Sequence, residues 1–160
     1  GKIEIFSKRL YDMHHPEIPA LSHYVPAHEG PEDELAKTFP LQLITWKGKN
    51  RANSTQYANP WLIEVQQQKL WINPQDAQKR GIAQGDTVRI HNARGICEIP
   101  AEVTPRIIPG VVAMQAGAWW QPDERGIDKG GCANVLSSAR ITALAKGNSH
   151  QTMLVEVAKA

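Results

Sequence analysis

Apolar residues fall in short, separated runs along this chain, and most runs alternate with polar positions. "KIEIFS", residues 2–7, alternates polar and apolar and predicts a strand. "FPLQLITW", residues 39–46, predicts a strand with enough apolar residues to be buried. "IEVQQQKLWI", residues 63–72, is ambiguous at its start and ends as a strand. "TVRIHN" (87–92) and "GICEIPAEVT" (95–104), joined through "NARG" (92–95), predict a hairpin: two β-rich runs about a turn with glycine. "GVVAMQAG" (110–117), introduced by Pro109-Gly110, and "MLVEVAK" (153–159) predict two more strands.

One stretch breaks the period. In "WINPQDAQKRGIAQGD", residues 71–86, Asn73 is a helix N-cap and Pro74 suits the first helical position. Asp76 sets negative charge at the positive helix end. Gly81 supplies the left-handed residue that ends the helix, and Gly85-Asp86 turns the chain into the next strand. The predicted helix, near 74–80, spans about two turns, too short to stand alone in water. It needs a surrounding sheet.

Between these runs lie polar segments. Pro16, Pro19, Pro26, Pro31 and Pro40 punctuate the chain beyond Tyr11, which also carries the acidic run "EGPEDE", residues 29–34. Residues 1–38 therefore divide off as a leading strand and a peripheral, mobile arm, with residues 39–160 as the ordered domain. Residues 48–61 and 121–134 predict long polar loops. Short strands, one hairpin, one or two short helices and long polar loops predict a mainly β fold, a closed barrel of six or seven strands. A doubly wound α/β fold would need long crossover helices that the pattern lacks.

Composition narrows the function. At 160 residues the chain is one domain, 41% hydrophobic and 21% charged, as a globular protein is. Eighteen basic against sixteen acidic residues give +2 without a lysine–arginine run, so nucleic acid is not an expected partner. No apolar stretch approaches the roughly 20 residues of a membrane span. The opening "GKIEIFSKRL", without an initiator methionine or a secretory pattern, predicts a fragment of a longer protein. There is no phosphate loop and no G-x-G-x-x-G after a strand.

Cys97 and Cys132 form no C-x-x-C and have no histidine at zinc-ligand spacing, so the plain reading is two small buried hydrophobes. A thiol enzyme would use Cys132 in "GGC" with His91 or His150 as base, and would need a depressed thiol pKa. His14, His15, His23 and His28 sit in the arm, without the fixed geometry a metal site needs. The richest chemistry is "KGKNRANSTQ", residues 47–56. There Lys47, Lys49 and Arg51 are cations, and Asn53, Ser54, Thr55 and Gln56 are adaptable hydrogen-bonders. Such a set suits an anionic, heteroatom-rich ligand. "GGCANVLSS", residues 130–138, repeats the theme with Asn134 beside two glycines.

The run "WINPQDAQKRGIAQGDTVRIHNARG", the loop "RANST", "GGCANVL" and the ending "KGNSHQTMLVEV" together resemble one family. It is the C-terminal, molybdopterin-dinucleotide-binding domain of the dimethyl sulfoxide reductase family of molybdenum enzymes. The likeness is nearest to the catalytic subunit of bacterial membrane-associated dimethyl sulfoxide reductases and their selenate-reductase-like paralogues. It runs in register from about Phe39 to the end, and "GKIEIFSKRL" matches the strand that leads into the domain.

The resemblance implies a double-psi β-barrel in which the "NPQDA" helix plugs between crossing strands, so Asn73, Pro74 and Asp76 are structural first. It places Arg51, Asn53, Ser54 and Thr55, with Lys47 nearby, where the family's R-x-H-S-type loop meets the pterin and its phosphates. Asn53 stands where histidine is usual. Asn134 matches an asparagine that bonds the pterin, and Gln151 or His150 offers a polar contact near the last strand. It further implies bis(molybdopterin guanine dinucleotide) with molybdenum in the full-length enzyme and a [4Fe-4S] centre elsewhere in that chain. No cofactor is expected on the isolated domain. Implied partners are the remaining domains of the same catalytic subunit, an iron–sulfur electron-transfer subunit and a membrane anchor subunit, on the periplasmic side of the inner membrane. The rival reading is a double-psi adaptor domain that recruits protein and ignores guanine nucleotides.

Overall fold

In β3 (Thr87–His91), Val88 and Ile90 are buried while the alternate residues face outward. β1 (Leu41–Trp46) likewise turns Leu41 and Leu43 inward. This period-2 division gives β1 and β3 one apolar face each, while a third strand buries Val112 to Gln115 in succession, and closing the sheet covers these residues at once. A computed structural model, describing residues 1–149 and 151–160, shows that closure. His150, one of the sequence candidates, lies outside the described residues.

The remaining strands are β2 (Leu70–Ile72), β4 (Ile96–Val103), β5 (Val111–Gln115) and β6 (Met153–Lys159). They close in the order β1-β5-β2-β4-β3-β6. β5 is threaded between β1 and β2, and β4 between β2 and β3, so β1/β5 and β2/β4 are parallel while the other pairs are antiparallel. These two interlocked parallel pairs are the double-psi arrangement. The hairpin of β3 and β4 sits at the expected register, His91 opposite Ile96. Leu43, Leu70, Ile72, Val112, Met114 and Met153 are fully buried at the centre.

The helix α1 (Lys8–Asp12) lies in the arm, α2 (Pro60–Val65) follows the polar loop, and α3 (Pro74–Lys79) plugs one end of the barrel. α3 is built as the sequence predicts: Asn73 caps it by accepting from the Gln75 amide at 2.9 Å, and Gly81 has a φ of +64°. Two further bonds tie it to the barrel. Asn73 Nδ2 donates to the Ile107 carbonyl at 2.7 Å, and the buried Asp76 carboxylate accepts from the Gly110 amide at 2.7 Å.

Asn73→Ala therefore removes a cap and a buried hydrogen bond together, an expected loss of about 2 kcal/mol. Gly81→Val strains only the backbone, because a Cβ there meets no atom within 4 Å, and should cost about 1–2 kcal/mol. The sequence alone ranks Gly81→Val as the costlier change; the bond to Ile107 brings Asn73→Ala level with it or above. Denaturant midpoints of the two variants check this.

Three local expectations are corrected. Residues 2–7 form no strand: Phe6 makes a single bridge to Leu21, and Ile3 and Ile5 are 92% and 74% exposed. Alternation makes a strand only where a neighbouring edge is available to pair. Instead Ser7 caps α1 by accepting from the Leu10 amide at 3.3 Å. Part of the predicted loop 48–61 and the ambiguous start of 63–72 are the helix α2, capped by Asn59 with Pro60 at its first position. The signal was present, since "NP" at 59–60 repeats the "NP" that opens α3 at 73–74.

The arm's Leu21, Tyr24 and Val25 are more than half exposed. Its fixed point is Glu29, 2% exposed, whose carboxylate takes both Arg94 Nη groups at 2.8 and 2.7 Å.

Candidate functional site

The topology decides which loops meet. Because β1 and β5 run parallel, Trp46 and Gln115 end side by side. β6 runs against β1, pairing Met153 with Leu43, so its start lies at that same end. β2 runs against β5, pairing Leu70 with Met114, which brings Gln68 there too. Residues 47–69, 92–95, 116–149 and 151–152 thus gather at one end of the barrel, while α3 and residues 104–110 close the other. The seven candidates among the described residues, Lys47, Arg51, Asn53, Ser54, Thr55, Asn134 and Gln151, fall at the first end, and Asp76 falls at the second. There Asp76 has a structural role, its carboxylate tying α3 to the Gly110 amide.

Arg51 is the most buried of the seven at 9% exposure. Its Nη2 donates to Gln68 Oε1 at 3.0 Å and to Gln115 Oε1 at 2.8 Å, and its guanidinium lies 5.0 Å from the Tyr57 ring centroid. Its Nη1 is buried without a hydrogen-bond partner among the described residues. Trp46 Nε1 and Ser138 Oγ share that condition, but both are neutral. Burial pulls the Arg51 pKa below its ordinary value and pushes that of Tyr57 up. Tyr57 in turn donates to the Gly130 carbonyl at 2.9 Å and packs against Trp119, whose indole donates to the Ser54 carbonyl at 2.9 Å. The loops 47–59 and 116–131 are locked together through these contacts.

Beside them is a cavity of about 120 Å³ lined by Thr45, Ser54, Gly117, Cys132, Asn134 and Met153, among others. Gln151 borders it through Thr45, accepting from the Thr45 amide at 2.8 Å and donating to the Thr45 hydroxyl at 2.7 Å. Ser54, Asn134 and Gln151 are therefore brought together. Lys47 and Asn53 bond each other on the exposed rim, and Asn53 holds a φ of +54°. The Thr55 hydroxyl turns back to the Ala52 carbonyl. A larger cavity of about 570 Å³ lies between the arm and residues 140–149, lined by His15, His23, His28 and Arg140, and none of the seven candidates lines it. Among the described residues no group of three or more His, Cys, Asp or Glu is placed to hold a metal.

Sequence reasoning missed Gln115, Gln68, Asn50, Tyr57 and Asp128. Gln115 was detectable in principle, as a glutamine closing the apolar strand "VVAM". Asp128, fully buried, accepts from the amides of Gln121, Gly130 and Cys132 at 2.8, 3.1 and 2.7 Å and so shapes the "GGC" turn. The thiol-enzyme reading fails on the same geometry. Burial raises the pKa of both Cys97 and Cys132, and Asp128 raises both further. Both are buried free thiols, the small hydrophobes that the sequence suggests.

The comparisons with known proteins then decide the family. The model described as "Molydopterin dinucleotide binding domain" matches residues 41–154, nearly the whole barrel. The chain belongs to this family. Dimethyl sulfoxide reductase DmsA of Escherichia coli K12 is 50% identical over 99% of the chain, which covers 20% of that protein. A trimethylamine-N-oxide reductase of Haemophilus influenzae is 37% identical, again over 99% of the chain and 20% of the relative. The chain thus spans about a fifth of the length of the curated relatives it matches. Acetylene hydratase from Pelobacter acetylenicus shares the fold, with a TM-score of 0.74 at 16% identity, over 99% of this chain and 23% of that one. Membership of a molybdopterin-dinucleotide-binding family supports the cofactor-binding reading over the adaptor one.

Proposed function

We propose that this domain is the cofactor-clamping lobe of a molybdenum oxidoreductase that reduces S-oxide, N-oxide or selenate-type acceptors. The names of the relatives, dimethyl sulfoxide and trimethylamine-N-oxide reductases, support that substrate class. The cofactor is bis(molybdopterin guanine dinucleotide), which when bound supplies the redox chemistry at molybdenum. The domain's own residues bind and orient it.

The donor set fits such a group. A dinucleotide carries an anionic diphosphate and heteroaromatic edges, and the loops at the site end of the barrel offer cations, hydroxyls and amides, with no carboxylate paired to Arg51 among the described residues. The observation that carries the reading is Arg51, a buried cation with an unpartnered Nη1. In this reading its guanidinium grips a diphosphate in fork geometry, and Lys47 adds charge at the rim. Ser54 and Thr55 offer hydroxyls, while Asn53 and Gln151 offer neutral contacts. Asn134, exposed at the cavity mouth, donates and accepts at once, as a pterin edge requires.

The rest of the assembly follows from the same reading. Other domains of the catalytic subunit complete the site, and a [4Fe-4S] centre lies in that remainder. An iron–sulfur subunit and a membrane anchor hold the enzyme on the periplasmic side of the inner membrane. The isolated domain supplies one wall and turns nothing over.

In the full-length enzyme Arg51→Ala should lower retained molybdenum and pterin several-fold, and Asn134→Ala should do so more mildly. Arg51→Lys should not fully rescue, because a point charge lacks the fork. Metal analysis and pterin fluorescence after denaturation read the outcome. Full cofactor content and normal activity in Arg51→Ala would place the site elsewhere.

A further inference from the structure

The barrel holds four well-placed arginines, and three are neutralised. Arg80 pairs with Glu156 at 2.7 Å, Arg89 with Glu98 at 2.7 Å and Arg94 with Glu29 at 2.7 Å. Their side chains are 17%, 39% and 31% exposed. Arg51, buried to 9% exposure, has no carboxylate within ion-pair distance among the described residues. Burying a charge among neutral groups is costly, so the cation closest to full burial is the one left uncompensated.

Its neutral surroundings are oriented in one direction. Asn50 Nδ2 donates to the Leu62 carbonyl at 3.1 Å and the Gln66 carbonyl at 3.4 Å, which turns Asn50 Oδ1 away from them. That oxygen accepts from Gln115 Nε2 at 2.6 Å, so Gln115 Oε1 must face Arg51. Gln68 is set the same way, its Nε2 donating to the Gln115 and Gly131 carbonyls at 2.9 and 3.0 Å and its Oε1 facing the guanidinium. Backbone carbonyls thus fix which end of each amide is which, and aligned amides polarise one another. The packing is close: a Cβ on Gly48 would lie 1.4 Å from Gln115 Nε2.

We propose that Gln115, seconded by Gln68, is a positioning residue that holds Arg51 in fork orientation while leaving its charge for an anionic ligand group. This rests on the cofactor-clamping reading and adds what that reading does not contain, a reason for neutral amide oxygens rather than a carboxylate on the guanidinium. Gln115 reaches the ligand through Arg51. A glutamate of the same shape would keep the acceptor that faces Arg51 but lose the donor to Asn50 Oδ1 and neutralise the cation, and the ligand's diphosphate would then meet a net-neutral pair.

The test is the full-length holoenzyme carrying Gln115→Glu, followed for molybdenum and pterin content over time and for thermal unfolding. The expected result is cofactor loss roughly tenfold faster than in the parent. The cofactor-free form should melt near the parent's temperature, since the ion pair gained with Arg51 offsets the bond lost to Asn50 Oδ1. A merely structural role for Gln115 would lower both. Gln68→Glu introduces the same charge from the other side, at the cost of its bonds to the Gln115 and Gly131 carbonyls, and should speed cofactor loss alike, which covers a Gln115→Glu chain that does not fold. Parent-like retention in either folded glutamate variant, with Arg51→Ala still losing cofactor, would overturn the positioning role alone. Parent-like retention in Arg51→Ala as well would overturn the clamping reading beneath it.

Discussion

Asp128→Ala is expected to cost on the order of 4 kcal/mol, the largest loss from any single substitution considered for this barrel. Its two oxygens accept from three backbone amides, those of Gln121, Gly130 and Cys132, and the residue has no exposed surface. Alanine would leave three donors without that acceptor, the amides of Gly130 and Cys132 buried and that of Gln121 part-buried, each costing about 1–3 kcal/mol when water cannot reach it fully. The same residue's backbone pairs with β4, donating to the Ile96 carbonyl at 3.0 Å and accepting from the Glu98 amide at 2.8 Å. Losing the carboxylate therefore loosens the "GGC" turn against the strand that carries it. Asp128→Asn, which keeps one acceptor oxygen, should fall between. Urea midpoints at unchanged m value measure the difference, and a loss under about 1 kcal/mol for Asp128→Ala would remove the carboxylate from its central place.

Arg94→Ala should cost about 3 kcal/mol and release the arm. Glu29 would keep only the Leu154 amide at 3.3 Å and the neighbouring His28 ring at 3.4 Å. Removing one member of a buried ion pair strands the other's charge, typically at 3–5 kcal/mol, and the 31% exposure of Arg94 argues for the lower end. Arg94 also donates from Nε and Nη2 to the Leu136 carbonyl at 2.9 and 2.7 Å, so the turn leading out of "GGCANVL" loses support as well. The double variant Glu29→Gln with Arg94→Met should recover much of the loss, because no charge is then left buried. Limited proteolysis reads the arm directly: Arg94→Ala should be cut within residues 11–37 much faster than the parent. Equal cleavage rates would mean that the arm is held elsewhere.

The elements legible in the sequence are those whose causes are local. Asn73, Pro74 and Gly81 define α3 because a cap bonds an amide two residues on and a left-handed residue is a property of one backbone position. The "NARG" hairpin and the inward faces of β1 and β3 are equally local, set by turn chemistry and a period of two. Residues 2–7 show the limit of that logic. Their alternation is correct for a strand, yet a strand exists only when a partner edge is supplied.

By itself the sequence determined a small β-barrel with a clipped helix, and a polar loop around Arg51 with the chemistry for an anionic ligand. Tertiary structure decided the rest. Arg51 meets Gln115 across 64 positions and Glu29 meets Arg94 across 65, and Asp76 lies at the barrel end opposite Arg51. Those relations depend on which strands become neighbours when the sheet closes. Threading β5 beside β1 brings Gln115 to the end of Trp46, and no local preference along the chain encodes that adjacency. It is selected by the burial of apolar residues from all six strands together, a property of the closed barrel rather than of any one segment.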